Sequence, residues 1–176
     1  MKSPKATLIL HLFMLILSCS NSSKNKTEEN INDQAMQDSL FINITKLTDQ
    51  ILSVSSSTDT SELLILPITQ SCPYCRGKII DQLVKHDYII PSNRYLFISS
   101  EKGYKTVNSY FIDNGGRLPM NNKQIIVDSF SLCTKYNLAD EKPIIYHMAG
   151  KKVYKKTTLI PHTIQHELNK FLTLKH

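Results

Sequence analysis

The chain has 176 residues, 41% apolar and 20% charged, with a formal net charge of +6. This is enough for one domain with a real core and too little for two full ones. No tryptophan, five glycines and 8% aromatics exclude collagen-like and low-complexity classes. Two of the positive charges, Lys2 and Lys5, lie in a segment expected to be removed; the remaining lysines are scattered, so nucleic acid is not an expected partner.

In chain order, residues 1–18 open with Lys2 and Lys5 and continue as an apolar run from Ala6 to Leu17, interrupted by Thr7 and His11. Twelve helical residues span about 18 Å, well short of a bilayer core of about 30 Å. The pattern is that of a secretory signal peptide. Ile16-Leu17-Ser18-Cys19 then resembles the lipobox of bacterial lipoproteins. The resemblance implies cleavage before Cys19 and acylation of that residue. It also implies attachment to the membrane in the bacterial cell envelope, facing the periplasm. Serine after Cys19 favours the outer membrane. Residues 19–32 hold almost nothing that can be buried and read as a tether.

From Asp33 to about residue 55, Met36, Leu40, Ile44, Leu47 and Ile51 recur every three or four positions, the period of an amphipathic helix. The expected role of this stripe is packing against the following domain, with a coiled-coil handle as the alternative. Beyond Ser55-Ser-Ser-Thr-Asp-Thr the period changes. Leu63–Ile68 is a continuous apolar run, suited to a strand buried on both faces. Pro73 to about His86 reads as a helix, 95–98 as a strand, 103–112 as a helix closed by Asn114-Gly-Gly, and 124–127 as a strand. Residues 129–136 form a short helix, and 143–148 and 151–159 pair as a hairpin. Pro161 opens a last helix with Ile164, Leu168, Phe171 and Leu172 inward. The alternation predicts an α/β fold whose mostly parallel sheet carries an antiparallel hairpin at its end. Lys151–Lys156 reads as a solvated edge strand protected by its lysines.

The chemistry concentrates at Cys72-Pro73-Tyr74-Cys75, placed directly after the first buried strand and opening a helix. A thiol at a helix N-terminus faces free N–H groups and the positive end of the dipole, which stabilise its thiolate. A second thiol three residues on can close a small disulfide, so the pair can exchange disulfides with a partner. A zinc half-site or an inert disulfide is the alternative. Zinc requires two more ligands, and no second CxxC is present, although Cys133 with His86 or His147 can be assembled on paper. Cys133 is expected to be a small buried apolar residue rather than a third redox thiol. His162 and His166, four apart, read as an ordinary exposed pair, and His147 as a half-buried strand residue.

Strand, CPYC, helix, two further strand–helix steps and a proline opening a strand hairpin together resemble the thioredoxin-like fold. The extra strand and helix make residues 60–176 most similar to TlpA-type periplasmic thioredoxins. The resemblance implies a membrane-anchored thiol–disulfide oxidoreductase acting on exported proteins that carry thiols or disulfides, reset by a membrane redox partner and needing no dissociable cofactor. It implies that Cys72 attacks and Cys75 resolves. Pro143 would be cis and stand beside the disulfide, leaving the Lys142 backbone to pair with substrate. Tyr74, after Pro73, would cover the disulfide. Ser71 stands where thioredoxins carry tryptophan, and Leu66 where they carry a buried acid. The Pro-Tyr dipeptide is that of glutaredoxins, whose potentials of about −200 to −230 mV are less reducing than the −270 mV or so of thioredoxin. A copper(I) metallochaperone and a non-catalytic binding lipoprotein are the alternative functions.

Overall fold

A computed structural model describes residues 27–48, 60–119 and 122–173. The signal peptide, Cys19, Ile51 and residues 55–59 of the expected turn lie outside the described residues. Eleven elements are present among them. The strands are β1 (Glu28–Asn30), β2 (Thr60–Pro67), β3 (Arg94–Ser99), β4 (Ile125–Asp128), β5 (Ile144–Ala149) and β6 (Lys152–Thr158). The helices are α1 (Gln34–Leu47), α2 (Pro73–Lys85), α3 (Gly103–Asp113), α4 (Leu132–Lys135) and α5 (Ile164–Leu172).

One six-stranded sheet has the order β1-β6-β5-β2-β3-β4. β2, β3 and β4 run parallel, whereas β5, β6 and β1 join antiparallel on the other flank of β2. β2 is thus the hinge between a parallel half and an antiparallel half. Its run of apolar residues follows from that place, because both faces are covered. Leu64, Leu66 and Ile68 point into one core with Ile79, Ile80 and Leu83 of α2, Phe111 of α3 and Leu168 and Phe171 of α5. Leu63 and Ile65 point into a second core with Ile44 and Leu47 of α1, Phe97, Cys133 and Tyr146. The molecule is a mixed α/β, three-layer structure with the sheet in the middle.

Four expectations change. The end of the segment read as tether is structured: Glu28–Asn30 pairs with β6, and Ile31 is buried. For the same reason Lys151–Lys156 is not a bare edge. Glu28 and Glu29 lie against Lys155 and Lys156 at 3.3 and 3.1 Å, so the lysines that would repel a foreign strand hold a strand of this chain. The first helix ends at Leu47, capped by Thr48, and Met36 remains exposed on it. Its N-terminus is capped by the Asp33 side chain, which accepts from Met36 N–H at 2.8 Å. Finally, Pro161 does not open α5. Residues 161–163 form a turn, in which Thr163 and Ile164 N–H both donate to the Ile160 carbonyl, and the helix starts one turn later. This places exposed His162 on the turn and His166 on the helix, so the two do not share a helical face.

Candidate functional site

In a parallel β–α unit the chain leaves the strand at its C-terminal end, and helix N–H groups converge there. β2 ends at Pro67, the loop 68–71 follows, and Cys72 takes the N-cap position of α2 with Pro73 at the first helical turn. Cys72 Sγ accepts from the Cys75 N–H at 3.0 Å. Cys72 and Cys75 are joined as a disulfide with their Cα atoms 5.3 Å apart. The two sulfurs differ in setting: Cys72 is exposed, whereas Cys75 is 3% exposed and belongs to the core under α2. An incoming group reaches Cys72. Cys75 stays shielded, so the two sulfurs are not equivalent towards a partner.

The loop bearing Cys72 is held by a residue that the motif reading overlooked. Arg76, directly after Cys75, donates from Nη1 to the Ile68 carbonyl at 2.9 Å and to the Ser71 carbonyl at 3.4 Å. Its guanidinium lies 4.1 Å from the centre of the Tyr110 ring. The side chain thus ties the loop before Cys72 to the helix after it and to α3. The available signal is a basic residue adjoining a CxxC, too common a pattern to single it out. Ser71 is buried beneath this clamp.

Beside the disulfide is a cleft of about 240 Å³ lined by Gln70, Cys72, Cys75, Glu141, Lys142, Pro143, Leu159, Ile160 and Pro161. Pro143 and Lys142 therefore stand with both cysteines, although about seventy residues of sequence separate them. The cleft continues into a shallower groove of about 540 Å³ along Asp140, Glu141, Lys142, Ile144 and Thr158. Tyr74, the second residue of α2, is 56% exposed and is not among the residues that line the cleft. The Lys142–Pro143 peptide is trans, not cis as the resemblance implied. Trans is the form a proline amide prefers by about 0.5–1 kcal/mol. The Pro143 carbonyl accepts from Leu159 N–H at 2.8 Å and so adds one rung to the β5–β6 ladder.

Cys133 belongs to the opposite core, on the far side of the sheet from Cys75, and is fully buried. Burial pushes its thiol pKa up, against smaller opposing contributions from Ser99 and Thr134. A sheet stands between it and the disulfide, so Cys133 is not a relay. Among the described residues no three or more His, Cys, Asp or Glu side chains are grouped to hold a metal ion. His147 instead meets Glu62 through Nδ1 and Thr157 through Nε2, both at 3.0 Å. Beneath it Arg94 pairs with Glu62 at 2.9 Å and donates to the carbonyls of Lys170, Phe171 and Thr173 at the end of α5. This cluster lies at the N-terminal end of β2 and β3, opposite the cysteines.

Within the described residues no helix is long and apolar enough to cross a membrane. No protein-family model matches the chain, and no curated protein is significantly similar to it.

Proposed function

We propose that the chain is a thiol–disulfide oxidoreductase of thioredoxin-like fold, held in the bacterial cell envelope facing the periplasm by a lipid on Cys19 and acting on exported proteins. The observation that supports the reading best is the asymmetric pair: an exposed Cys72 and a buried Cys75 at a helix N-terminus, with Lys142 and Pro143 across one cleft. In the reduced protein the Cys72 thiolate attacks a substrate disulfide, forming the mixed disulfide and releasing one substrate thiolate. The Cys75 thiolate then attacks Cys72 Sγ and releases the second, so two electrons pass to the substrate and the Cys72–Cys75 bond forms. A dithiol partner at the membrane reverses these steps to reset the pair. In the opposite direction the same steps oxidise a substrate dithiol. The trans Pro143 departs from the thioredoxin pattern, but its position beside Cys72 and Cys75 is the one the resemblance requires.

The test is the reduction potential of the pair in protein carrying Cys133→Ser, equilibrated with thiol buffers and trapped by alkylation. A value near −250 mV or below, with rapid exchange, assigns a reductase, and one near −120 to −180 mV assigns an oxidase or isomerase. A pair that does not exchange with a model disulfide peptide overturns the reading.

A further inference from the structure

β1 determines where the chain leaves the domain. β6 runs upward towards the disulfide end, since Thr158 stands opposite Ile144 and Ile144 opposite Ile65, two residues before the end of β2. β1 is antiparallel to β6, with Glu28 opposite Thr157, so its first residues lie at that same end. The Thr158 N–H donates to the Thr27 carbonyl at 2.7 Å, and the ladder closes lower down where Ile31 N–H donates to the Tyr154 carbonyl at 2.9 Å. Ion pairs from Glu28 and Glu29 and the buried Ile31 side chain hold the strand in place. Whatever precedes Thr27 therefore departs from the disulfide end of the sheet, at its β1 edge.

The remaining length is short. Cys19 and Thr27 are about eight Cα steps apart, no more than about 28 Å even at full extension. α2, running from the disulfide end to the opposite end, is itself about 20 Å long. A domain turned the other way up would use most of that reach merely to run back along its own height. Both exposed aromatic side chains of the disulfide end agree with an interfacial position. Tyr74 is 56% exposed, and Phe130, just beyond the end of β4, is 82% exposed. A tyrosine ring favours the zone between lipid and water, and an exposed phenylalanine suits shallow burial at the headgroup boundary.

We propose that the disulfide end of the domain faces the bilayer that carries it, and that the partner exchanging with Cys72–Cys75 is a membrane-held protein dithiol or disulfide presented within about 30 Å of the lipid surface. The proposal rests on the lipid anchor at Cys19.

The natural absence of tryptophan makes the test direct. The full chain, expressed with its own leader, is placed in phosphatidylethanolamine–phosphatidylglycerol vesicles containing a dansyl lipid. Phe130→Trp supplies a donor at the disulfide end and Ile89→Trp, at a 70% exposed site in the loop before β3, one at the other end. Energy transfer to the surface dye is expected to be several-fold stronger from position 130; Tyr74→Trp repeats the measurement if Phe130→Trp misfolds. Equal transfer, or stronger transfer from position 89, in protein that floats with the vesicles overturns the orientation and leaves the anchor standing. Protein that does not float overturns the anchor and the orientation together. A long Gly-Ser insertion between Lys26 and Thr27 is then expected to slow reduction by a dithiol peptide held on vesicles through a short linker, with reduction by dithiothreitol unchanged. Unchanged rates with both reductants overturn the assignment of the partner.

Discussion

The two ends of β2 both gather polar and reactive groups, and they treat them in opposite ways. At the N-terminal end Glu62, Arg94, His147 and Thr157 are pinned to one another, and Arg94 is further occupied by three carbonyls of the last helical turn. At the C-terminal end Cys72 is exposed at a helix N-terminus, beside a cleft that the protein does not fill. The first end uses its charges to fasten α5 to the sheet. The second keeps its chemistry available to another molecule. A cluster of ionisable residues is thus no guide to a site until their partners are counted.

Cysteine substitutions separate the exchanging disulfide from the thiol on the opposite face of the sheet. Cys72→Ser is expected to abolish exchange with a disulfide peptide, and Cys75→Ser to trap the mixed disulfide, visible as a mass adduct under non-reducing conditions. Cys133→Ser should leave exchange intact but lower stability by about 1–3 kcal/mol, since a hydroxyl would be buried on the opposite face without the thiol's apolar fit. Alkylation of the reduced protein at neutral pH is expected to modify Cys72 quickly and Cys133 only on unfolding, because burial raises the Cys133 pKa and closes access. Fast labelling of Cys133 in folded protein would contradict its placement.

Arg94→Met reverses the pattern. It removes one partner of the Glu62 carboxylate and the donor to three carbonyls, which is expected to cost about 3–5 kcal/mol in urea denaturation. Any fraction that folds should keep its exchange rate. A matching fall in exchange would mean that the two ends are coupled. Arg76→Met, at the other end, should do the converse. Stability is expected to fall by about 1–2 kcal/mol for the lost charged hydrogen bonds. Exchange with a disulfide peptide should also slow, because the loop carrying Cys72 loses its tie to α2. Arg76→Lys, which keeps the charge without the flat ring contact to Tyr110, is expected to recover part of the effect.

What could be read from the sequence follows the same division. β2, α2 and the CPYC junction announce themselves because burial on both faces demands an unbroken apolar run, and the motif sits where that run stops. The grouping of Pro143 with the cysteines came from the resemblance, and the cleft places them together. β1 was illegible: Glu28, Glu29 and Asn30 have no strand propensity, and their pairing depends on lysines more than a hundred residues away. Tyr146, Arg76 and Arg94 act through backbone carbonyls, and a carbonyl leaves no mark on a residue pattern. The trans form at Pro143 is likewise invisible in the residue itself.

The smallest expected effect lies between the two ends, on the outer surface of α2. Asp81 and Lys85 pair at 3.0 Å across one helical turn, and the Lys85 hydrogen bond holds the Asp81 carboxyl below its ordinary pKa. A depressed carboxylate contributes stability at pH values above its unfolded pKa and loses it as pH falls through the lower folded value. Asp81→Asn is therefore expected to lower stability near neutrality by no more than about 0.5 kcal/mol. The difference from the parent protein should begin to shrink as pH falls to about 4, where the unfolded carboxyl takes up its proton, and vanish once the lower folded value is passed. Because the pair is exposed, it should also shrink in high salt. A loss that is larger than this, or that persists in acid and salt, would show that α2 depends on its solvent face, whereas the packing of Ile79, Ile80 and Leu83 against β2 says that its stability comes from the core.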